Sequence, residues 1–449
     1  MASFDALTFP AGFLWGTATA SHQYEGGNTN NQWYAWEQAG HIKSGETCGL
    51  ACDWWAHAER DFDRAAQMGL KALRLSLEWS RIEPAPGQWD TAALDRYHAM
   101  LVGLRQRDII PLVTLHHFTH PIWLEAIGGF LAPDFVRRFI AYTGRVVEAL
   151  GDQCDWWCTI NEPNVVSVAG YQIGNFPPGR RGDLRGAIRA QAALVHAHAA
   201  AYHEIHRQQP EARVGWAQHI YTFDPANPRS PLDRTVTRLQ DLGFNDFFPR
   251  AVLTGKPLGI LSPLTGDLSA AKGTCDYVGI NCYARAHVAF DPRIPSELFG
   301  RRFSKPGTPL GDAGPGSMFT EMYPDGILRN ARRFQSFGKP IYFTENGVPD
   351  ASDHLRPWII ARAARALHDA LREGIDVRGY LHWSLVDNFE WENGWTMRFG
   401  LIALDEHTQE RAPRPSAALY GELAQANALT RDMVTRYAPT AEREVFGTA

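Results

Sequence analysis

Eight short runs rich in β-branched, aromatic and aliphatic residues recur along the chain, at 13–20, 71–79, 109–117, 154–162, 213–220, 276–284, 340–346 and 377–385. Each is short enough for a strand and is bounded by polar or turn-forming residues. Amphipathic stretches at 54–68, 133–150, 186–207 and 357–373 lie between them and predict helices. Strand and helix alternate eight times over. That order predicts an α/β fold built as one closed (β/α)8 barrel of the TIM type. An open, doubly wound sheet is the alternative, but no G-x-G-x-x-G follows the first strand to support it.

No Ser/Gly-rich or Pro-rich linker divides the chain, so residues 1–449 read as one barrel domain, with a surface tail after about residue 424. The longest irregular stretches are 28–53, 286–322 and 386–414. Loops that follow barrel strands form the mouth of the barrel, so long ones are expected to wall a site.

Composition narrows the functional classes. A length of 449 residues exceeds the usual domain, yet barrels of this kind often run past roughly 400. Aromatic residues make up 12% of the chain and include 15 Trp, a surplus that suits stacking on flat, partly apolar ligands such as sugar rings. The net charge of −5 comes with no extended basic tract, which argues against nucleic acid and anionic membrane as partners. No apolar run approaches the roughly 20 residues of a membrane span. Residues 1–10 have neither a basic start nor an apolar signal core, so a cytoplasmic location is expected.

Cys154 and Cys158 fall on one predicted strand, where four residues span about 13 Å, so they neither bond each other nor share a metal. Cys48 and Cys52 lie in a loop and could come close. Without a secretion signal, free thiols are expected for these four and for Cys275 and Cys282. His116 and His117 are neighbours on a strand and point to opposite faces. The helical His196, His198, His203 and His206 read as helix surface and core edge. No zinc-like spacing occurs, and neither metal nor cofactor is expected.

Polar residues gather at the predicted C-terminal ends of the strands. Strand four ends in Thr159-Ile160-Asn161-Glu162-Pro163, and strand seven in Phe343-Thr344-Glu345-Asn346-Gly347. Strand three ends in His116-His117 and strand six in Asn281-Cys282-Tyr283. Two carboxylates at one barrel mouth form the arrangement that cleaves a glycosidic bond, and a spacing of about 5 Å gives retention of configuration. The alternative is that Glu162 and Glu345 are ordinary loop carboxylates. Arg74 lies inside a predicted barrel strand, where a charge requires a partner.

Four segments resemble the family-one glycoside hydrolases, and the likeness runs from Phe13 to about Tyr420. Residues 13–26 (FLWGTATASHQYEG) resemble that family's N-terminal signature, 159–163 its acid/base motif, 343–347 its nucleophile motif, and 383–391 (WSLVDNFEW) its sugar-recognition segment. The resemblance implies a retaining exo-β-glycosidase, a β-glucosidase above all, with galactosides and fucosides as further substrates. Glu162 would be acid/base and Glu345 nucleophile. Gln23, His117, Asn161 and Glu390 would hydrogen-bond the sugar hydroxyls, with Asn161 on the 2-hydroxyl. Trp383 would be the stacking floor and Trp391 a side wall. Arg74 and Tyr283 would orient Glu345 and keep it ionised, with Tyr283 also reaching the substrate. Read without the resemblance, the alternatives are that Trp383 is a core aromatic and Gln23 a loop residue.

The expected partner is a small carbohydrate, a β-glucoside or cello-oligosaccharide, and a homo-oligomer is compatible with the sequence. A 6-phospho-β-glycosidase is disfavoured because a carboxylate at Glu390 repels phosphate. A thioglycosidase is disfavoured by the presence of Glu162, and a non-catalytic sugar-binding barrel by the presence of both carboxylates. Cys282, His219, Ile220 and Asn164 depart from residues common in the family and leave the leaving group open.

Overall fold

The structure is a computed structural model that describes residues 5–313 and 321–447. The first four residues of the N-terminal segment, positions 314–320 of the 286–322 stretch and the last two residues lie outside the described residues. Eight parallel strands form the barrel: β1 (Leu14–Ala18), β2 (Ala72–Ser76), β3 (Ile110–His116), β4 (Trp156–Asn161), β5 (Arg213–Pro225), β6 (Val278–Phe290), β7 (Ile341–Asn346) and β8 (Val377–His382). Neighbours in sequence are neighbours in space, β8 pairs with β1, and β7 pairs with both β6 and β8. The sheet closes on itself.

Most positions in these strands are buried on both faces, because one face fills the barrel and the other meets the surrounding helices. Strands in that setting carry continuous apolar runs rather than alternation. The predicted helices form at Trp54–Gln67, Phe135–Leu150, Leu184–Gln208 and Arg356–Arg372. The longest starts where the Asp183 carboxylate accepts from the Gly186 amide at 2.7 Å, which satisfies an end donor of the helix. Its buried face is rich in alanine, from Ala187 to Ala201, and that small face packs against Phe135–Leu150.

Two expectations are corrected. Residues 286–322 are not wholly irregular, since β5 and β6 run on together, from Thr222 beside Arg285 to Pro225 beside Val288. Short strands Gly300–Phe303 and Glu321–Met322 add to β6 antiparallel. Nor is the segment after residue 424 a surface tail. Ala428–Thr430 pairs with Ala6–Thr8, and helices Arg431–Tyr437 and Glu442–Phe446 follow. Leu429, Val434 and Val445 are fully buried. Each of these elements is too short for a periodic signal, and their apolar residues find the core only in three dimensions.

All six cysteines are buried free thiols. No helix among the described residues is long and apolar enough to cross a membrane.

Candidate active site

Glu345 ends β7 and lies directly beside Asn281 of β6. The chain turns immediately after it through Gly347, where a Cβ would strike the carbonyl oxygen of Trp383. Only glycine permits that approach, which brings the end of β7 against the end of β8. Glu345 Oε1 accepts from Arg74 Nη1 at 2.5 Å, and Oε2 accepts from the Tyr283 hydroxyl at 2.7 Å.

Arg74 itself is fully buried in β2. Its Nε donates to Thr114 Oγ1 at 2.9 Å and its Nη2 to Asn161 Oδ1 at 2.7 Å. This buried charge has its counter-ion and its hydrogen bonds, as burial demands.

Glu162 follows β4 and takes a left-handed backbone, φ 45° and ψ 59°, just before helix Pro163–Ser167. A left-handed glutamate is uncommon and costs energy. Its amide donates to Ala217 O at 2.8 Å, which holds the turn. The carboxylate Oε1 faces His219 Nδ1 at 3.0 Å and accepts from Asn281 Nδ2 at 2.8 Å. His219 and Asn281 are register partners across β5 and β6, so two adjacent strands aim their side chains at one oxygen.

Both carboxylates line one cleft with His117, Asn161, Tyr283, Trp383, Glu390 and Trp391. The cleft encloses about 480 Å³, including the part open to solvent. Asn161 Nδ2 donates to His117 Nε2 at 3.0 Å, so the remaining hydrogen of His117 sits on Nδ1, which is buried without a partner. Burial, together with the Arg74 charge, holds this imidazole well below its usual range. A neutral ring with a free N–H is a ready donor. Gln23 lies outside the lining but behind it. Its Nε2 donates to Asn388 Oδ1, Phe389 O and Glu390 Oε2 at 2.9, 2.7 and 3.3 Å, while its Oε1 is buried without a partner. Trp391 packs on Trp33 and Phe118, with ring centres 4.7 and 5.0 Å apart. The His117 ring lies between Trp383 and Trp391, about 6.0 Å from each. All the residues singled out from the sequence thus gather at one mouth.

The electrostatics depart from expectation. Burial raises the Glu345 carboxyl to about 7 despite Arg74; the Glu162 charge pushes the same way and the Tyr283 hydrogen bond opposes it. Desolvation outweighs the ion pair expected to hold it low. Burial also lifts Glu390 well above the usual carboxylate range, with the charges of Glu392, Glu345 and Glu162 adding to it.

Sequence reading assigned no role to Asn281 or Glu392. Asn281 sits two residues before Tyr283, so both side chains share a strand face, a signal available from the pattern alone. Glu392 accepts from Asn175 Nδ2 at 2.9 Å and pairs with Lys43 at 3.3 Å; nothing in the local pattern marks it. Asn164, where the family often carries an aromatic, donates to His219 O at 2.9 Å. His198 is core rather than helix surface, bridging Thr159 Oγ1 and Thr274 O at 2.7 Å each. Among the described residues no group of three or more His, Cys, Asp or Glu is arranged to hold a metal.

A wider cleft of about 1140 Å³, including open solvent, adjoins the first and shares Val165, Phe176, Glu392 and Asn393 with it. Phe176, Tyr221, Phe223, Phe244 and Phe303 contribute aromatic faces to its lining, and Lys43 and Arg302 are among its polar residues.

The sequence model for "Glycosyl hydrolase family 1" matches residues 6–429. Beta-glucosidase A of Thermotoga maritima is 31% identical over 94% of this chain and 98% of its own length. A beta-galactosidase of Pyrococcus woesei is 30% identical over 94% of this chain and 98% of its own. Among solved structures, a beta-glycosidase from Pyrococcus horikoshii superposes with a TM-score of 0.89 at 34% identity, over 96% of this chain and 98% of that one. The barrel, the residues at its mouth and a match over nearly the whole chain lead to one assignment: the protein belongs to glycosyl hydrolase family 1.

Proposed function

We propose that this protein is a retaining exo-β-glycosidase, a β-glucosidase above all, that removes terminal β-D-glucosyl residues and accepts galactosyl and fucosyl residues as well. The observation that carries the reading is the unequal setting of two carboxylates in one cleft. Both oxygens of Glu345 accept hydrogen bonds, one from a buried guanidinium. On Glu162 both donors converge on Oε1, and Oε2 has no hydrogen bond among the described residues.

Arg74 and Tyr283 hydrogen-bond both oxygens of Glu345 and favour its ionised form against the burial that opposes it, while Glu162 offers Oε2 as the proton donor. Glu345 then attacks the anomeric carbon while Glu162 protonates the departing oxygen, and the glycosyl-enzyme forms. Glu162, now ionised, takes a proton from water as the water attacks that carbon. Two displacements return the original configuration.

His117 Nδ1–H, Gln23 Oε1, Asn161 and Glu390 supply donors and acceptors for the sugar hydroxyls, and Trp383 with Trp391 supplies apolar ring faces. Because Glu390 holds a proton more tightly than a free carboxylate, charge repulsion alone does not exclude phosphate. The lining disfavours it instead, since none of its described residues is Lys or Arg. A phosphorylated sugar would find no counter-ion. The names of the relatives, a β-glucosidase and a β-galactosidase, support the substrate class.

Release of nitrophenol from an aryl β-glucoside tests the reading, with Glu162→Gln as control. Turnover by the wild type and a large loss in the variant are expected; no release from any β-glycoside would leave a sugar-binding barrel instead. A panel of disaccharides and aryl glycosides then ranks the leaving groups.

A further inference from the structure

The hydrogen bonds around Glu162 assign one side chain a task that the mechanism above does not use. We infer that His219 is a positioning residue for the acid/base carboxylate: with Asn281 it occupies Oε1 and so confines the transferable proton to Oε2. The inference rests on the glycosidase reading.

Asn281 Oδ1 accepts from Thr344 Oγ1 at 2.7 Å, and its Nδ2 is shared between Asn161 Oδ1 at 3.0 Å and Glu162 Oε1 at 2.8 Å. The amide orientation is therefore settled, and it presents N–H to Oε1. His219 Nε2 is buried without a partner, whereas Nδ1 has Oε1 at 3.0 Å. The hydrogen-bond network thus assigns the ring hydrogen to Nδ1. Oε1 then accepts from two N–H groups. A proton placed there would face two donors and leave them unsatisfied, so it resides on Oε2.

His219 is built to hold this aim. Its carbonyl accepts from Asn164 Nδ2 at 2.9 Å and from Gln218 Nε2 at 3.2 Å. The ring lies within 20° of parallel to Tyr283, centres 6.0 Å apart, and to Tyr221, centres 6.4 Å apart. Phe244 meets it edge-on at 5.8 Å. Tyr283 is the residue that donates to Glu345, so one stacked pair of rings serves both carboxylates. The titratable groups facing His219 are Glu162, Tyr283 and Tyr221. Where the family often carries an Asn after strand five, this chain has His219 and Ile220.

Three variants separate the donor from the packing. His219→Asn keeps an N–H as many bonds from the backbone as Nδ1; His219→Gln places its amide farther out; His219→Phe keeps the ring and removes the donor. Loss of a hydrogen bond to a charged group predicts that His219→Phe and His219→Gln lose ~10- to 100-fold in kcat/KM for cellobiose and alkyl glucosides. A dinitrophenyl glucoside, whose oxygen leaves without a proton, should lose less than about 3-fold, and His219→Asn should restore the poor substrates to within about 3-fold of wild type. In protein carrying 15N-histidine, the His219 ring, identified by its absence in His219→Asn, should show hydrogen on Nδ1.

Equal losses on good and poor leaving groups in His219→Phe, His219→Asn no better than His219→Phe, or hydrogen on Nε2 would each overturn the inference while the wild type remains an active glycosidase. A wild type inactive on every β-glycoside overturns the glycosidase reading, and the inference with it. The two failures are distinct.

Discussion

Replacing Arg74 with Met removes a fully buried guanidinium and keeps much of its volume. Four hydrogen bonds disappear, to Glu345, Asn161, Thr114 and Cys158 Sγ. Asn161 Oδ1 keeps the Asn281 donor, and Glu345 keeps only Tyr283. Breaking a buried ion pair by deleting one partner costs about 3–5 kcal/mol, because the other charge stays buried and uncompensated. In a chain of this size that corresponds to roughly 3–5 °C in Tm at alkaline pH.

The penalty depends on pH with a definite sign. A carboxyl whose proton affinity is higher folded than unfolded contributes stability at low pH and loses it as the pH rises. For wild-type Glu345 that window runs from ~4.3, the unfolded carboxyl value, up to about 7. Without Arg74 a protonated Glu345 escapes the cost at acid pH, so the loss of Tm should be small at pH 5 and large at pH 8.5. Activity follows the same proton. On a dinitrophenyl glucoside, which needs no acid, the acidic limb of kcat/KM should move up by about two pH units, since about 3 kcal/mol equals about two pKa units. Thermal unfolding and pH–rate profiles of the two proteins decide it. An equal Tm loss at both pH values together with an unmoved acidic limb would refute the claim that Arg74 acts by holding Glu345 ionised.

Glu162→Ala should slow glycosylation by cellobiose ~10²- to 10⁴-fold and by a dinitrophenyl glucoside far less. Its slow second step should give a burst and a low KM, and azide should restore turnover as the β-glycosyl azide; equal losses on both substrates would remove Glu162 from the acid role. The wild-type pH profile should show a basic limb that flattens in that variant, because the variant lacks the proton donor. An aryl β-glucoside should be preferred over its 6-phosphate, because no Lys or Arg stands among the described residues lining the catalytic cleft; a preference for the phosphate would show that the pocket has been misread. Burial pushes the Cys154 and Cys282 thiols up to about 12, so a thiol reagent should label none of the six cysteines until the protein is denatured. Reductant should leave activity and Tm unchanged, and a large stability loss with it would reveal a disulfide.

The barrel could be read from sequence because each of its strands is a short apolar run placed between helices, and such runs pair in order. The main site residues were readable for a related reason: Asn161, Glu162, Glu345 and Trp383 stand at or just past strand ends, and parallel closure brings those ends together beside Tyr283 of β6. What stayed hidden depends on contacts across the barrel. Nothing in His219-Ile220 says that the ring meets Glu162; that follows from the register of β5 with β6. The proton affinity of Glu345 was misjudged because the sequence reveals its cation, Arg74, and conceals the depth of burial that outweighs it. The packed C-terminal segment was missed because Leu429, Val434 and Val445 lie on separate short elements, each with too few apolar residues to show a period.

In the proposed mechanism Glu345 forms the covalent bond to the sugar. Glu345→Gly, given an activated β-glucosyl donor and azide, tests it most directly. The vacated space admits azide to the face from which the carboxylate attacked, so a single displacement should release the α-glucosyl azide, while hydrolysis without azide falls to near background. The anomeric proton of the product, followed by NMR, reads the outcome. Near-normal hydrolysis by the variant, or a product of β configuration, would contradict the account.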